Sequence, residues 1–294
     1  MKFSTAIIGS ALATAAFAAP LTAKRQARSE ARLARRTAQR HSNPPIKAGT
    51  TNEVLHFNKT SHEEYSSNWA GAVLIGTGYD YVTGEFTVPT PSVPSSSGSG
   101  GGGGSWGWFG DKEGAKSRRQ FSDEEYCASA WVGIDGDTCE TAILQVGVDF
   151  CVQGSEVSYD AWYEWYPDYS YDFDNIDISA GDKIKVTVDA TSATGGTATV
   201  DNITTGKTVT HTFSNVDDGS LCEYNAEWIV EDFESDGELV PFADFGTVTF
   251  SSAEAKSGST SYGPSSATLM DIEQDNEVLT SSSVSRDSVT VTYE

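Results

Sequence analysis

Carboxylates, amides and aromatics carry the chemistry open to this sequence, and three stretches gather them on single strand faces. In Thr141 to Phe150, TAILQVGVDF, alternation points Leu144, Val146 and Val148 one way and Ile143, Gln145 and Gly147 the other. The first set reads as core. Gln145 then stands on the opposite face, with a glycine two residues on that leaves space above the backbone. Strand glutamines are ordinarily solvated, and alternation alone does not separate a solvated face from the floor of a cleft. In Asn225 to Phe233, NAEWIVEDF, Glu227, Ile229, Glu231 and Phe233 share a face opposite Ala226, Trp228 and Val230. A carboxyl flanked by Ile229 and Phe233 has its neutral form favoured and its pKa raised, which suits general acid–base work. The plain alternative is that Glu231 ends a strand at the surface. In Tyr159 to Tyr166, YDAWYEWY, Trp162, Glu164 and Tyr166 lie on one face, and Tyr159, Ala161, Tyr163 and Trp165 on the other.

Other chemistries find little support. Of four histidines, His41, His56 and His62 lie in a basic N-terminal segment, which leaves His211 alone on a strand, TVTHTFS. There is no G-x-S-x-G elbow and no H-E-x-x-H zinc motif. No glycine-rich loop leads from strand to helix, so nucleotide binding is unsupported. Asp135-Gly136-Asp137 is the nearest approach to a pepsin-like motif, and it reads as a turn. No metal and no cofactor are expected.

The elements that must position these groups are strands. From Glu63 onward, short runs rich in Val, Thr, Ile and aromatics alternate with Gly, Asp, Asn and Ser turns. The pattern predicts an all-β chain of two antiparallel sheets packed face to face. The exception is Pro91 to Glu125, which holds a Gly/Ser run from Gly98 to Gly104 and the basic cluster Lys116, Arg118 and Arg119. Such a stretch is a flexible connection and a natural site for proteolytic nicking.

Residues 1–18 have the form of a signal peptide: Lys2, an apolar run from Ala6 to Phe17, and Ala16-Phe17-Ala18 as the cleavage signal. No later stretch is long and apolar enough to span a membrane. The expectation is a secreted protein. Residues 19–62 carry nine basic and two acidic side chains, net +7, whereas residues 63–294 carry nine basic and forty acidic, net −31. Opposite charges of this size suggest two pieces made for each other and later separated. The domain's charge would repel nucleic acid and would be relieved in acid. Ala27 to His41 is Arg/Ala-rich and could form a helix or a basic tail. The four cysteines, Cys127, Cys139, Cys151 and Cys222, imply two disulfides, with three connectivities open. Asn58 and Asn202 each head a glycosylation sequon, and Asn202 is the candidate within the domain.

SSNWAGAV (Ser66 to Val73), SAWVGIDGDTC (Ser129 to Cys139), TAILQVGVDF, YDAWYEWYPD (Tyr159 to Asp168), LCEYNAEWIVEDF (Leu221 to Phe233) and VPFADFG (Val240 to Gly246) resemble, in order, the motifs of the glutamic peptidases, or eqolisins. The resemblance implies a sandwich of two bent antiparallel sheets of the concanavalin A-like or jelly-roll-like kind. It implies a pepstatin-insensitive acid endopeptidase acting on proteins through a dyad of Gln145 and Glu231. Trp69, Trp131, Asp135 and Glu164 lie in the same motifs as walls or supports of the cleft. The resemblance also implies disulfides Cys127–Cys151 and Cys139–Cys222, and an inhibitory propeptide over residues 19–62. Members with an internal linker lose it, which maps to a light-chain part at 63–110, an excised linker at 111–120 and a heavy-chain part at 121–294, associated non-covalently. The rival readings are a glycoside hydrolase, with Glu164 and Glu231 as its acids and Trp162 and Trp165 as sugar platforms, and a lectin-like module.

Overall fold

The structure is a computed structural model that describes residues 40–48, 63–95 and 124–294. The signal peptide, most of the basic segment, the Gly/Ser connection, the 111–120 linker and the Asn58 sequon lie outside the described residues. So does most of the stretch read as a helix or tail; its last two residues, Arg40–His41, are in a short strand.

Thirteen longer strands build the domain: β1 (Trp69–Ile75), β2 (Tyr81–Thr87), β3 (Glu125–Ile134), β4 (Ile143–Gln153), β5 (Glu156–Tyr166), β6 (Lys183–Ser192), β7 (Gly195–Asn202), β8 (Lys207–Phe213), β9 (Asn225–Glu231), β10 (Thr247–Ser257), β11 (Thr268–Gln274), β12 (Thr280–Val284) and β13 (Ser288–Tyr293). One sheet runs β11-β1-β9-β3-β4-β5, extended at its ends by Glu277–Val278 and Tyr171–Asp172. The other runs β8-β7-β6-β2-β10-β13-β12. Pairing along both is antiparallel; Glu63–Ser66 joins β11 in parallel. Arg40–His41 pairs with Glu234–Ser235 in a small third sheet.

The main core lies between the two large sheets. Val132, Leu144, Val146, Val148, Trp228 and Val230 from the first meet Val82, Val186, Val188, Val248, Phe250 and Val291 from the second. Burying each such side chain contributes roughly 1.5–3 kcal/mol. The period-2 pattern therefore commits the intervening residues of β3, β4, β5 and β9 to the outer face of the first sheet. That face has its own apolar cluster of Trp69, Val73, Trp131, Ile143, Trp162, Ile229 and Met270. Cys127 is bonded to Cys151 across β3 and β4, and Cys139 to Cys222. The second bridge ties the turn before β4 to the segment leading into β9.

Candidate active site

Strand register lays the outer face out in three rows. Val73, Glu227, Gly133, Gln145 and Glu164 are neighbours across β1, β9, β3, β4 and β5. Gly71, Ile229, Trp131, Gly147 and Trp162 form the next row. Trp69, Glu231, Ser129, Asp149 and Asp160 form the third. Gln145 and Glu231 thus stand on strands either side of β3, with Trp131 on the diagonal between them. Trp131 Nε1 donates to Glu231 Oε2 at 2.9 Å, and its ring meets that of Trp69 edge-on with centroids 4.9 Å apart.

Both proposed dyad residues are fully buried, so Gln145 is no solvated strand residue and Glu231 no surface strand end. Neither side-chain atom of Gln145 has a hydrogen-bond partner, nor does Glu231 Oε1. Burial pushes the Glu231 carboxyl up to about 8; the Arg40 charge and the Ser42 and Trp131 side chains pull it down, and Glu164 adds to the rise. The glycine at 147 does not leave open space. A Cβ there would lie 2.5 Å from Trp131 Cβ and 2.9 Å from Trp162 Cζ2, so it allows two tryptophans to close over the strand.

The chain's own residues 40–43 cover this face. Arg40 is buried, and its Nε and Nη2 donate to the two carboxylate oxygens of Asp149 at 2.7 and 2.8 Å. Nη2 also donates to Ser129 Oγ at 3.2 Å, and Nη1 lies 3.5 Å from Glu164 Oε2. The guanidinium sits 3.9 Å over the Trp162 ring and 4.4 Å over Phe233. Burial alone would lower its pKa, but the Asp149, Glu164 and Glu231 carboxylates more than reverse this. The Ser42 backbone N–H donates to Glu164 at 3.2 Å, and Trp69 Nε1 donates to the Asn43 carbonyl at 2.9 Å. Glu164 is raised, chiefly by burial, against the pull of His41, Arg40 and the Ser42 N–H.

Gln145, Glu231, Trp69, Trp131 and Glu164 therefore share one face, whereas Asp135 serves a different end. Its two oxygens accept four backbone N–H groups, of Cys222, Glu223, Tyr224 and Asn225, at 2.7 to 3.2 Å. It fixes the segment entering β9 at a backbone φ of 69°, a left-handed conformation that aspartate tolerates better than most residues. The Asn202 sequon also differs from expectation. That side chain is buried, and its Nδ2 donates to the Asp177 carbonyl and to Asp182; a glycan would replace one of these two N–H groups, so glycosylation and this packing exclude each other. Trp162 and Trp165 are buried on opposite faces and form no exposed sugar platform.

Sequence reasoning missed Asp149, Ser129 and Arg40. The alternation Gln145, Gly147, Asp149 carried the signal for the first. Nothing in the basic segment singles out Arg40 among nine cations.

A model of the peptidase A4 family matches residues 67–293. Aspergillopepsin-2 of Aspergillus niger is 66% identical over 293 residues, covering all of both chains. Scytalidopepsin B of Scytalidium lignicola is 41% identical over 305 residues, again covering both. The crystal structure of scytalido-glutamic peptidase with a transition state analog inhibitor superposes with a TM-score of 0.64 at 42% identity, over 78% of this chain and 98% of that one.

Proposed function

The chain belongs to the peptidase A4 family and is a glutamic endopeptidase, and we propose that Gln145 and Glu231 form its catalytic dyad. Ionised Glu231 takes a proton from a water that attacks the scissile carbonyl. The Gln145 carbonyl oxygen helps hold that water, and its NH2 donates to the tetrahedral oxyanion. Glu231, now protonated, gives its proton to the leaving amine. Trp131 Nε1 fixes the Glu231 carboxyl throughout. The observation that carries this reading is the pairing of an unpartnered, buried amide with a buried, tryptophan-anchored carboxyl on one sheet face.

The same reading makes the protein a secreted zymogen. Residues 40–43 lie across the dyad face, so substrate has no access while they remain. Covering also holds Glu231 neutral below about pH 8, and a neutral carboxyl cannot act as the base. Release in acid follows from the charges: protonating the carboxylates of residues 63–294, net −31, removes what holds the net +7 segment to them. Excision of 111–120 would leave two chains held by sheet pairing and the shared core, with no disulfide between them. β1 is hydrogen-bonded between β9 and β11, β2 between β6 and β10, and all four cysteines lie on the C-terminal side.

The test is cleavage of denatured haemoglobin at pH 2–4 with pepstatin present. Gln145→Ala and Glu231→Gln should each cost ~10²–10³ in rate or more, with the thermal midpoint unchanged. Near-normal turnover by either variant sinks the dyad.

A further inference from the structure

Glu227 is a carboxyl of the outer face that the mechanism above leaves idle. It is fully buried on β9, and neither of its oxygens has a hydrogen-bond partner. It sits in the Gln145 row, with Gly133 of β3 between the two. A Cβ at Gly133 would lie 3.1 Å from Glu227 Oε2 and 3.4 Å from Gln145 Cβ. Trp131 Cζ3 would lie nearer still, at 2.8 Å, so the absent side chain lets the Trp131 ring, Glu227 and Gln145 approach the same point over the strand. Four buried polar atoms, two on each of Glu227 and Gln145, go unmet there. Buried polar atoms left unmet are costly, so their persistence in one row calls for an account.

We propose that Glu227 is a positioning residue: across Gly133, through a bridging water, its carboxyl group orients the Gln145 side-chain amide for catalysis. The proposal rests on the dyad reading. Gln145 must present its NH2 to the oxyanion and its oxygen to the attacking water. Rotating the amide by half a turn exchanges the two and aims an acceptor at the oxyanion. No hydrogen bond from the protein chooses between these states. A carboxylic acid can, because its O–H donates through the water to one lone pair of Gln145 Oε1. The second lone pair stays free for the nucleophilic water, and the NH2 stays free for the oxyanion. A carboxylate would do the opposite and draw the NH2 away from the substrate.

The surroundings favour the acid. Burial raises Glu227 well above the usual carboxylate range, and the negative Asp135 and Asp137 add to this. The Asp137 backbone N–H opposes the rise but closes no hydrogen bond to the carboxyl.

The experiment compares Glu227→Leu, Glu227→Gln and Gln145→Ala in the full-length chain after acid activation, with kcat, KM and thermal midpoint measured for each. Glu227→Leu should lose roughly 10²-fold in kcat with KM nearly unchanged, as expected when a reacting group is misplaced. Its thermal midpoint should not fall, since an unpaired buried carboxyl has been replaced by an apolar side chain. Glu227→Gln keeps a neutral donor of the same length and should recover kcat to within a few-fold, taking this as an order-of-magnitude mark. Glu227→Met replaces the leucine variant if that one does not fold. Wild-type kcat in the apolar variant, or equal losses in the apolar and glutamine variants, overturns the proposal while Gln145→Ala is inactive. An active Gln145→Ala overturns the dyad instead.

Discussion

Replacing Arg40 tests the latency reading without touching the enzyme that remains after activation. Arg40→Met keeps the length of the side chain and removes its fork. Lost with it are the bidentate bond to Asp149, the contact with Glu164, the bond to Ser129 and the stacking on Trp162 and Phe233. Removing one partner of a buried pair costs about 3–5 kcal/mol, because the other charge stays buried without compensation. Here Glu164, raised chiefly by burial, can take up a proton, which relieves part of that cost and places the effect at the lower end. About 3 kcal/mol is roughly a 10²-fold fall in the ratio of covered to open chains. The assay is hydrolysis of a quenched fluorogenic peptide at pH 5 by the full-length chain, expressed as a fraction of the rate after acid activation of the same variant. Wild type should be almost silent, and Arg40→Met should show a roughly 10²-fold larger active fraction. Arg40→Lys should fall between them, since a point charge cannot replace the fork. An Arg40→Met chain as latent as wild type would refute the claim that this side chain holds the cover in place.

Three other outcomes follow from the same geometry. Asp135→Asn removes the charge that accepts four backbone N–H groups and should destabilise the fold by about 2–4 kcal/mol, read by urea unfolding; a shift within error would mean the segment before β9 is held by other contacts. Cys139→Ser with Cys222→Ser opens a loop spanning 83 residues and should cost about 2–4 kcal/mol, again by urea unfolding. For the pH dependence of latency, Glu231 stands at about 8 under the cover, against an ordinary ~4.3 once water returns. The covered state therefore binds an extra proton over that interval, so the cover weakens as pH rises through it, and burial makes Glu164 act in the same sense. Latency of the full-length chain, followed by fluorogenic peptide hydrolysis, should accordingly weaken as pH rises toward 8; latency still growing up to pH 9 would contradict this.

The fold was legible because alternation is a local signal. Leu144, Val146 and Val148 declared a core face from sequence alone, and Gln145 and Glu231 followed onto the opposite face. What alternation cannot give is depth. A solvated face and a covered one have the same period, and only neighbours brought in by register separate them: Trp131 and Trp162 closing over Gly147, and Arg40 arriving from far upstream. Asp135 shows the converse limit. Its motif, shared with Trp131, points it to the cleft, yet its carboxylate is spent on four backbone groups contributed from far along the chain. Reading such a commitment needs the partner segment, which no local pattern contains.

On the proposed mechanism, latency and catalysis make opposite demands on one carboxyl. Glu231 as the base must be ionised to activate water, yet a covering segment that excludes water favours its neutral form. The Arg40 cation lowers Glu231 but does not offset its burial; its ion pairs are with Asp149 and Glu164, and Glu164 adds its own repulsion to Glu231. On this reading the covering segment disables the proposed base by dehydration as well as by obstruction. Release restores water to the face, and the same step that admits substrate returns Glu231 toward the range in which it can ionise. A cover that paired its cation directly with Glu231 would block the site while leaving the base charged; pairing it with Asp149 switches off access and chemistry together.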